Sequence, residues 1–186
     1  AGSNPEEGAS LHYLLKDKPE GGVKMAVLDA QGEVVSDLGS VSGDPGLNRV
    51  FWDLRYEGSE TPKMRTKVLE HSHILLGDDG WRPAGERGRV SPLAPPGEYT
   101  LRLTVGEEEF TQPLTVLKDP SSTGTVADIQ AQHEVILQLR EETNKVVGLI
   151  NDAEITRAQL LQLKDRVKGM EGAEEITQAA KALDES

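Results

Sequence analysis

Four histidines, no cysteine and a large excess of acidic side chains bound the chemistry open to this 186-residue chain. Without cysteine there are no disulfides, thiolate metal sites or cysteine nucleophiles. His71 and His73 flank Ser72, a spacing that can set two imidazoles on one face of a strand and supply half of a metal site. Asp78 and Asp79 are the nearest further ligands, and no fourth is evident, so the pair reads as a solvated loop and no metal is expected. Gly77-Asp78-Asp79-Gly80 lacks the alternating acids and closing Glu of a calcium loop and reads as a turn. His133 falls beside an apolar helical stripe, where packing or a polar rim is the plainer role, and His12 falls on a strand.

Ser40, Ser42 and Ser91 sit in loops without nucleophile-elbow spacing, so no serine hydrolase is visible. P-loop and dinucleotide-binding glycine patterns are also missing, and no cofactor is expected. Glycoside hydrolysis needs only two carboxylates, but Asp44, Asp53, Glu57, Glu60 and Glu107 to Glu109 are too abundant for any pair to stand out. They read as solvated faces, with Asp53 as a turn cap. The remaining ligand chemistry is stacking of a sugar on exposed aromatic rings, for which Trp81, Tyr56 and Tyr13 are the candidates.

The formal net charge of -12 and the lack of any basic run argue against nucleic acid, because phosphate binding needs clustered Lys and Arg. No stretch approaches the roughly 18 to 20 apolar residues of a membrane helix, and no signal peptide is visible, so no membrane partner is expected. The opening Ala1-Gly2-Ser3, without Met, reads as a cloned fragment carrying vector residues.

All seven aromatic residues and all ten prolines lie at or before Pro120. This places an expected domain boundary between Lys118 and Thr123. Upstream, the pattern alternates with period two. Leu11, Tyr13 and Leu15 share a face, as do Val23, Met25 and Val27, which lead through Asp29-Ala30-Gln31-Gly32 into the short strand Glu33 to Val35. Leu47 to Leu54 turns Val50, Trp52 and Leu54 one way. After Ala94-Pro95-Pro96-Gly97, Tyr99, Leu101, Leu103 and Val105 alternate with Glu98, Thr100, Arg102 and Thr104. A last strand, 109–117, points Phe110, Leu114 and Val116 inward, and Pro113 marks it as an edge or bulged strand. The expected fold of residues 1–120 is an antiparallel β-sandwich of immunoglobulin or fibronectin type III style, with Trp52, Tyr99, Leu101, Leu103 and Phe110 in its core. The segment 57–92 is too long for a hairpin loop, and its Val68, Ile74, Leu75, Leu76 and Trp81 require part of it to pack.

Residues 121–186 read as a helical hairpin, making the class α+β with segregated parts. Thr125-Val126-Ala127-Asp128 has capping-box spacing. With Ile129 at heptad position a, the a positions are Ile129, Ile136, Thr143 and Ile150, and the d positions are Gln132, Leu139, Val146, Ala153, Leu160 and Val167. The d register runs through Asn151-Asp152, favouring one helix from 126 to about 168 over two broken there. Gly169 to Gly172 ends it, and a second helix, about 173–184, offers Ile176, Ala179, Ala180 and Leu183. The shorter second helix leaves part of the long stripe to bury on the sandwich, a partner, or chain beyond Ser186.

Leu47-Asn48-Arg49-Val50-Phe51-Trp52-Asp53-Leu54-Arg55-Tyr56 and Ala94-Pro95-Pro96-Gly97-Glu98-Tyr99-Thr100-Leu101 resemble the immunoglobulin-like module of the flagellar hook-capping type. With Phe110 to Pro120 and Asp128 to Gln132, the chain also resembles the C-terminal region of bacterial BNR-repeat proteins with a sialidase- or sortilin-type β-propeller, often labelled glycosyl hydrolases. The resemblance implies a propeller N-terminal to this segment, hydrolase residues confined to that propeller, and a periplasmic or secreted location. On that basis the segment is expected to be a non-catalytic accessory module. It would meet the propeller of the same polypeptide, or another protein, through its helical arm. The alternative is a carbohydrate-binding module, with polysaccharide held by Trp81 and the 57–92 loop.

Overall fold

One carboxylate organises the first hairpin: Asp29 Oδ1 accepts from the backbone N–H of Gln31 and of Glu33, both at 2.9 Å. Gly32 closes the turn with its N–H on the Asp29 carbonyl and a φ of 85°, which an L side chain rarely adopts. The computed structural model describes residues 8–67, 73–84 and 88–184. The chain divides into two compact units, Ala1–Gly58 with Val90–Arg140, and Ser59–Arg89 with Glu141–Ser186. The composition break between Lys118 and Thr123 falls inside the first of these.

Among its described residues the first unit contains six strands: β1 (Ala9–Leu15), β2 (Val23–Leu28), β3 (Val34–Val41), β4 (Gly46–Trp52), β5 (Gly97–Val105) and β6 (Glu108–Val116). β1 pairs antiparallel with β4, and a four-stranded antiparallel sheet has the order β3-β2-β5-β6. β3 is longer than the expected Glu33 to Val35 and slips register twice against β2. Alternation buries Leu11, Tyr13 and Leu15 from β1, and Val23, Met25 and Val27 from β2, in one cluster with Val35, Trp52, Ala94 and Tyr99.

Trp52 is 0% exposed, and its ring meets Tyr99 edge to face at 5.7 Å between centroids. Both polar tips are satisfied, as buried aromatics require. Trp52 Nε1 donates to the Arg55 carbonyl at 3.0 Å, and the Tyr99 hydroxyl to the Pro95 carbonyl at 2.8 Å. Leu101, Leu103 and Leu114 are partly buried against this cluster.

Two expectations are corrected here. Phe110 is 53% exposed and is not a core residue: it faces Leu103 from the outermost strand of its sheet, on a stretch of β6 where every side chain from Glu108 to Pro113 is exposed. Leu54 does not continue β4. It takes a φ of 59°, turning the chain so that its carbonyl accepts the Ala94 N–H at 2.7 Å, while the Asp53 carboxylate caps the turn through the Arg55 N–H. Pro113, opposite Thr100, lies on the edge strand with the register intact, so it occupies an edge and not a bulge.

Helix α1 (Val126–Val167) is continuous through Asn151-Asp152. Its start is a capping box: Asp128 N–H donates to Thr125 Oγ1 at 3.1 Å, and Thr125 N–H donates to Asp128 Oδ2 at 2.9 Å. The Thr125 hydroxyl, which donates to Asp128 Oδ2 at 2.6 Å, and then the Thr125 N–H hold the Asp128 carboxyl below its ordinary pKa. Gly169 and Gly172, at φ 88° and 79°, separate α1 from α2 (Ala173–Asp184). On α2, Ala180 is buried, while Ile176 and Ala179 are exposed; the Leu183 side chain lies outside what is described. In the second unit the strands β7 (Lys63–Met64) and β8 (Arg82–Pro83) form a short antiparallel pair. The class is therefore α+β.

If Trp52 is the central core residue, Trp52→Ala should cost about 3–5 kcal/mol in urea unfolding, and Phe110→Ala less than about 1.

Candidate functional site

α1 turns a mixed face inward, polar at His133 and Glu154 and apolar at Val147. Of the expected d stripe, Gln132, Leu139, Val146 and Ala153 are exposed, with Leu139 at 55% and Val146 at 54%, while Leu160 and Val167 are half-buried; the buried positions His133, Val147 and Glu154 fall one residue later in the heptad. In the second unit that face serves as a row of acceptors for an extended segment. Asn144 Oδ1 accepts the Glu60 N–H at 2.7 Å, and Asn151 Oδ1 the Lys63 N–H at 2.7 Å. Glu154 Oε2 accepts the N–H groups of Arg65 at 2.7 Å and Thr66 at 3.0 Å, and Thr66 Oγ1 donates to the same carboxylate.

The spacing is geometric. Seven helical residues rise about 10.5 Å, and three extended residues about 10 Å. The intervals from Asn144 to Asn151 and from Glu60 to Lys63 therefore match, so that amides on one element meet N–H groups on the other. Glu154 is buried with backbone and hydroxyl donors taking its oxygens, an arrangement that holds chain and leaves no base to act on a substrate. Sequence reading missed Glu154. Its signal was the run His133, Arg140, Asn144, Asn151, Glu154, a polar stripe at helical spacing beside the apolar one.

Trp81 belongs to the same unit. The turn Gly77 to Gly80 carries it, closed by Gly80 N–H on the Gly77 carbonyl at 2.9 Å and Gly77 N–H on the Trp81 carbonyl at 2.8 Å. Its half-buried ring faces a concavity of about 670 Å³ shared with Glu60, Thr61, Lys63 and Asn151. The Lys63 ammonium lies 5.2 Å from the ring centroid, a cation–π contact that occupies ring surface a sugar would need. His71 lies outside the described residues, and His73 is exposed. Among the described residues no cluster of three or more His, Asp or Glu side chains could hold a metal ion.

In the first unit, Tyr13 is no ligand platform. It is buried, and its hydroxyl donates to the Ser42 carbonyl at 2.6 Å. Burial, then Asp44, pushes its phenol above the ordinary value. Tyr56 is half-buried and held by backbone: its N–H donates to the Pro92 carbonyl at 2.8 Å, and its ring packs on His133 at 4.7 Å with a 55° tilt. Burial raises the Tyr56 phenol, and raises that of Tyr99 further. Neither phenol can serve as a base near neutral pH.

A cleft of about 410 Å³ opens beside His133, lined among others by Arg55, Ser91, Leu93, Leu117 and Gln132. Two of its polar groups are bound to backbone: Arg55 Nη1 donates to the Ser91 carbonyl at 2.8 Å, and Ser91 Oγ to the Tyr56 carbonyl at 3.4 Å. A serine so committed is not activated by a base.

Replacing Glu154 with Ala should loosen residues 60–66 in amide exchange and cost about 2–4 kcal/mol, with Glu154→Gln recovering part of it. Leu139→Asp, on the outer face, should change stability by less than about 0.5 kcal/mol in urea unfolding. No protein-family profile matches the chain, and neither a curated protein nor a solved structure does.

Proposed function

We propose that this chain is a non-catalytic accessory module. In this reading an immunoglobulin- or fibronectin type III-like sandwich carries a helical hairpin as its arm. The arm associates with the β-propeller of a larger periplasmic or secreted protein of the glycosyl hydrolase-like, sortilin-like type. Strand order supports the sandwich: β3-β2-β5-β6 reproduces C′-C-F-G, and β1-β4 reproduces the B–E pair. The Tyr99 hydroxyl on the Pro95 carbonyl supports it further, because a tyrosine near the start of strand F bonding back four residues is a hallmark of these folds. The segment 57–92 then becomes an insertion between strands E and F.

One observation carries the functional reading. Polar side chains in both units are spent on backbone, while large apolar ones remain outside. Ser91, Arg55, Asn144, Asn151 and Glu154 bind main-chain groups. Val135 and Leu139 in the first unit, and Val146 and Leu149 in the second, are exposed on α1. Exposed apolar side chains at helical spacing suit a protein partner.

Cross-linking of the full-length gene product is the test. Cross-links should run from Lys145 or Lys164, on α1, to the propeller, and Leu149→Glu should remove them while the module stays folded. Turnover of generic glycosidase or esterase substrates by the module alone would overturn the reading. The carbohydrate-binding alternative rests on the single ring of Trp81 beside Glu60, Thr61 and Asn151. Retardation on a polysaccharide gel that Trp81→Ala abolishes would favour it instead.

A further inference from the structure

His133 is 6% exposed on the inward face of α1, and its Nδ1 has no hydrogen-bond partner among the described residues. Its ring packs against Tyr56, which the backbone fixes through the Pro92 carbonyl. This suits a neutral imidazole. Protonation would give the ring a second N–H donor that must find an acceptor where none is placed, and would put a charge where water is excluded.

The surrounding charges do not compensate. On α1 itself, Glu134 is the next residue, and Arg140 lies two turns along with its guanidinium on the Glu57 carbonyl at 3.0 Å. The 53–57 segment brings Arg55 and the Tyr56 phenol, and β5 brings the Tyr99 phenol behind Tyr56, with Asp29 acting on both phenols. The 91–96 segment brings the Leu93 backbone, and the segment after β6 brings Asp119, whose Oδ1 accepts the Ser121 N–H at 2.8 Å. Two cations and two acids surround the ring, and no ion pair joins a carboxylate to His133 among the described residues.

We propose that His133 is an acid-sensitive latch: protonation of its ring releases residues 126–140 of α1 from the strands and loops they pack on, uncovering the apolar walls of the cleft beside it. The residues uncovered would include Ile129, Ile136, Pro95 and Val116, all of which line that cleft. The direction follows from burial, the largest influence on the imidazole, which holds it below its ordinary value of 6.5; Arg140 adds to this, while the Leu93 backbone and Glu134 oppose it. A group that is easier to protonate when released contributes docking stability above the released value. That stability is lost as the pH falls below about 6.5 toward the docked value. Each unit separating the two values weakens docking about tenfold.

The test is amide hydrogen exchange on the full chain, as protection factors between pH 8 and 5. Residues 126–140 should lose protection across the acid half of that range, while β2 and β5 hold theirs. His133→Phe keeps a ring against Tyr56 and should remove the acid step. Equal protection of 126–140 at both ends of the range, or the same loss in His133→Phe, would overturn the latch. Should that variant not fold, the His133 ring resonance in the unaltered chain decides: titration below 6.5 supports the latch, and titration at or above 6.5 overturns it. The outcome is independent of whether the module binds a propeller.

Discussion

A backbone N–H needs an acceptor, and within residues 60–66 only Lys63–Met64 has a neighbouring strand, the two-residue β8. Here the acceptors are side chains on a helix: Asn144 for Glu60, Asn151 for Lys63, and Glu154 for Arg65 and Thr66. A stretch that would otherwise be an unsupported loop becomes a defined part of the second unit, and the turn bearing Trp81 is built on it. The dependence runs both ways. The buried carboxylate of Glu154 on α1 would be costly without those N–H donors, so helix and segment each supply what the other lacks.

This reciprocity explains why the helix was half legible. The Thr125-Asp128 cap, the continuity through Asn151-Asp152 and the closing glycines could all be read, because caps and breakers act locally. The inward face could not. Apolar residues at Leu139 and Val146 keep a clean heptad spacing, and burial tracks hydrophobicity when water is the only alternative. Asn144, Asn151 and Glu154 take inward places instead because they satisfy main chain from a segment 84 to 89 positions away in sequence. In the strands, alternation gave the buried sets of β1 and β2 and the burial of Trp52 and Tyr99. It gave Phe110 the wrong environment, since period two says which face a residue is on and not whether anything covers that face at the edge of a sheet.

The same distinction governs the site. Tyr13, Tyr56 and Trp81 were singled out as aromatic, and aromatic rings suit cores and sugar platforms equally. Only contacts separate the two roles. Tyr13 is buried with its hydroxyl on Ser42, Tyr56 is wedged against His133, and Trp81 alone keeps an open side, partly under Lys63. Active sites tend to concentrate polar groups whose hydrogen bonds are incomplete and aimed at a cavity. Here Arg55, Asn144, Asn151 and Glu154 face main chain, the mark of a scaffold, and the unpartnered Nδ1 of buried His133 is what a change in protonation could exploit.

Pro113 has a consequence beyond the register of its own hairpin. An outermost strand offers a row of hydrogen-bond donors that a second polypeptide could copy onto, the route by which sheet proteins polymerise. Pro113 deletes one donor from that row, and the exposed carboxylates of Glu108 and Glu109 add like charge that an identical strand would have to approach. With Phe110 left uncovered beside them, this border would otherwise invite stacking of copies end to end. Its proline and acids work against that stacking while leaving the apolar ring of Phe110 in water.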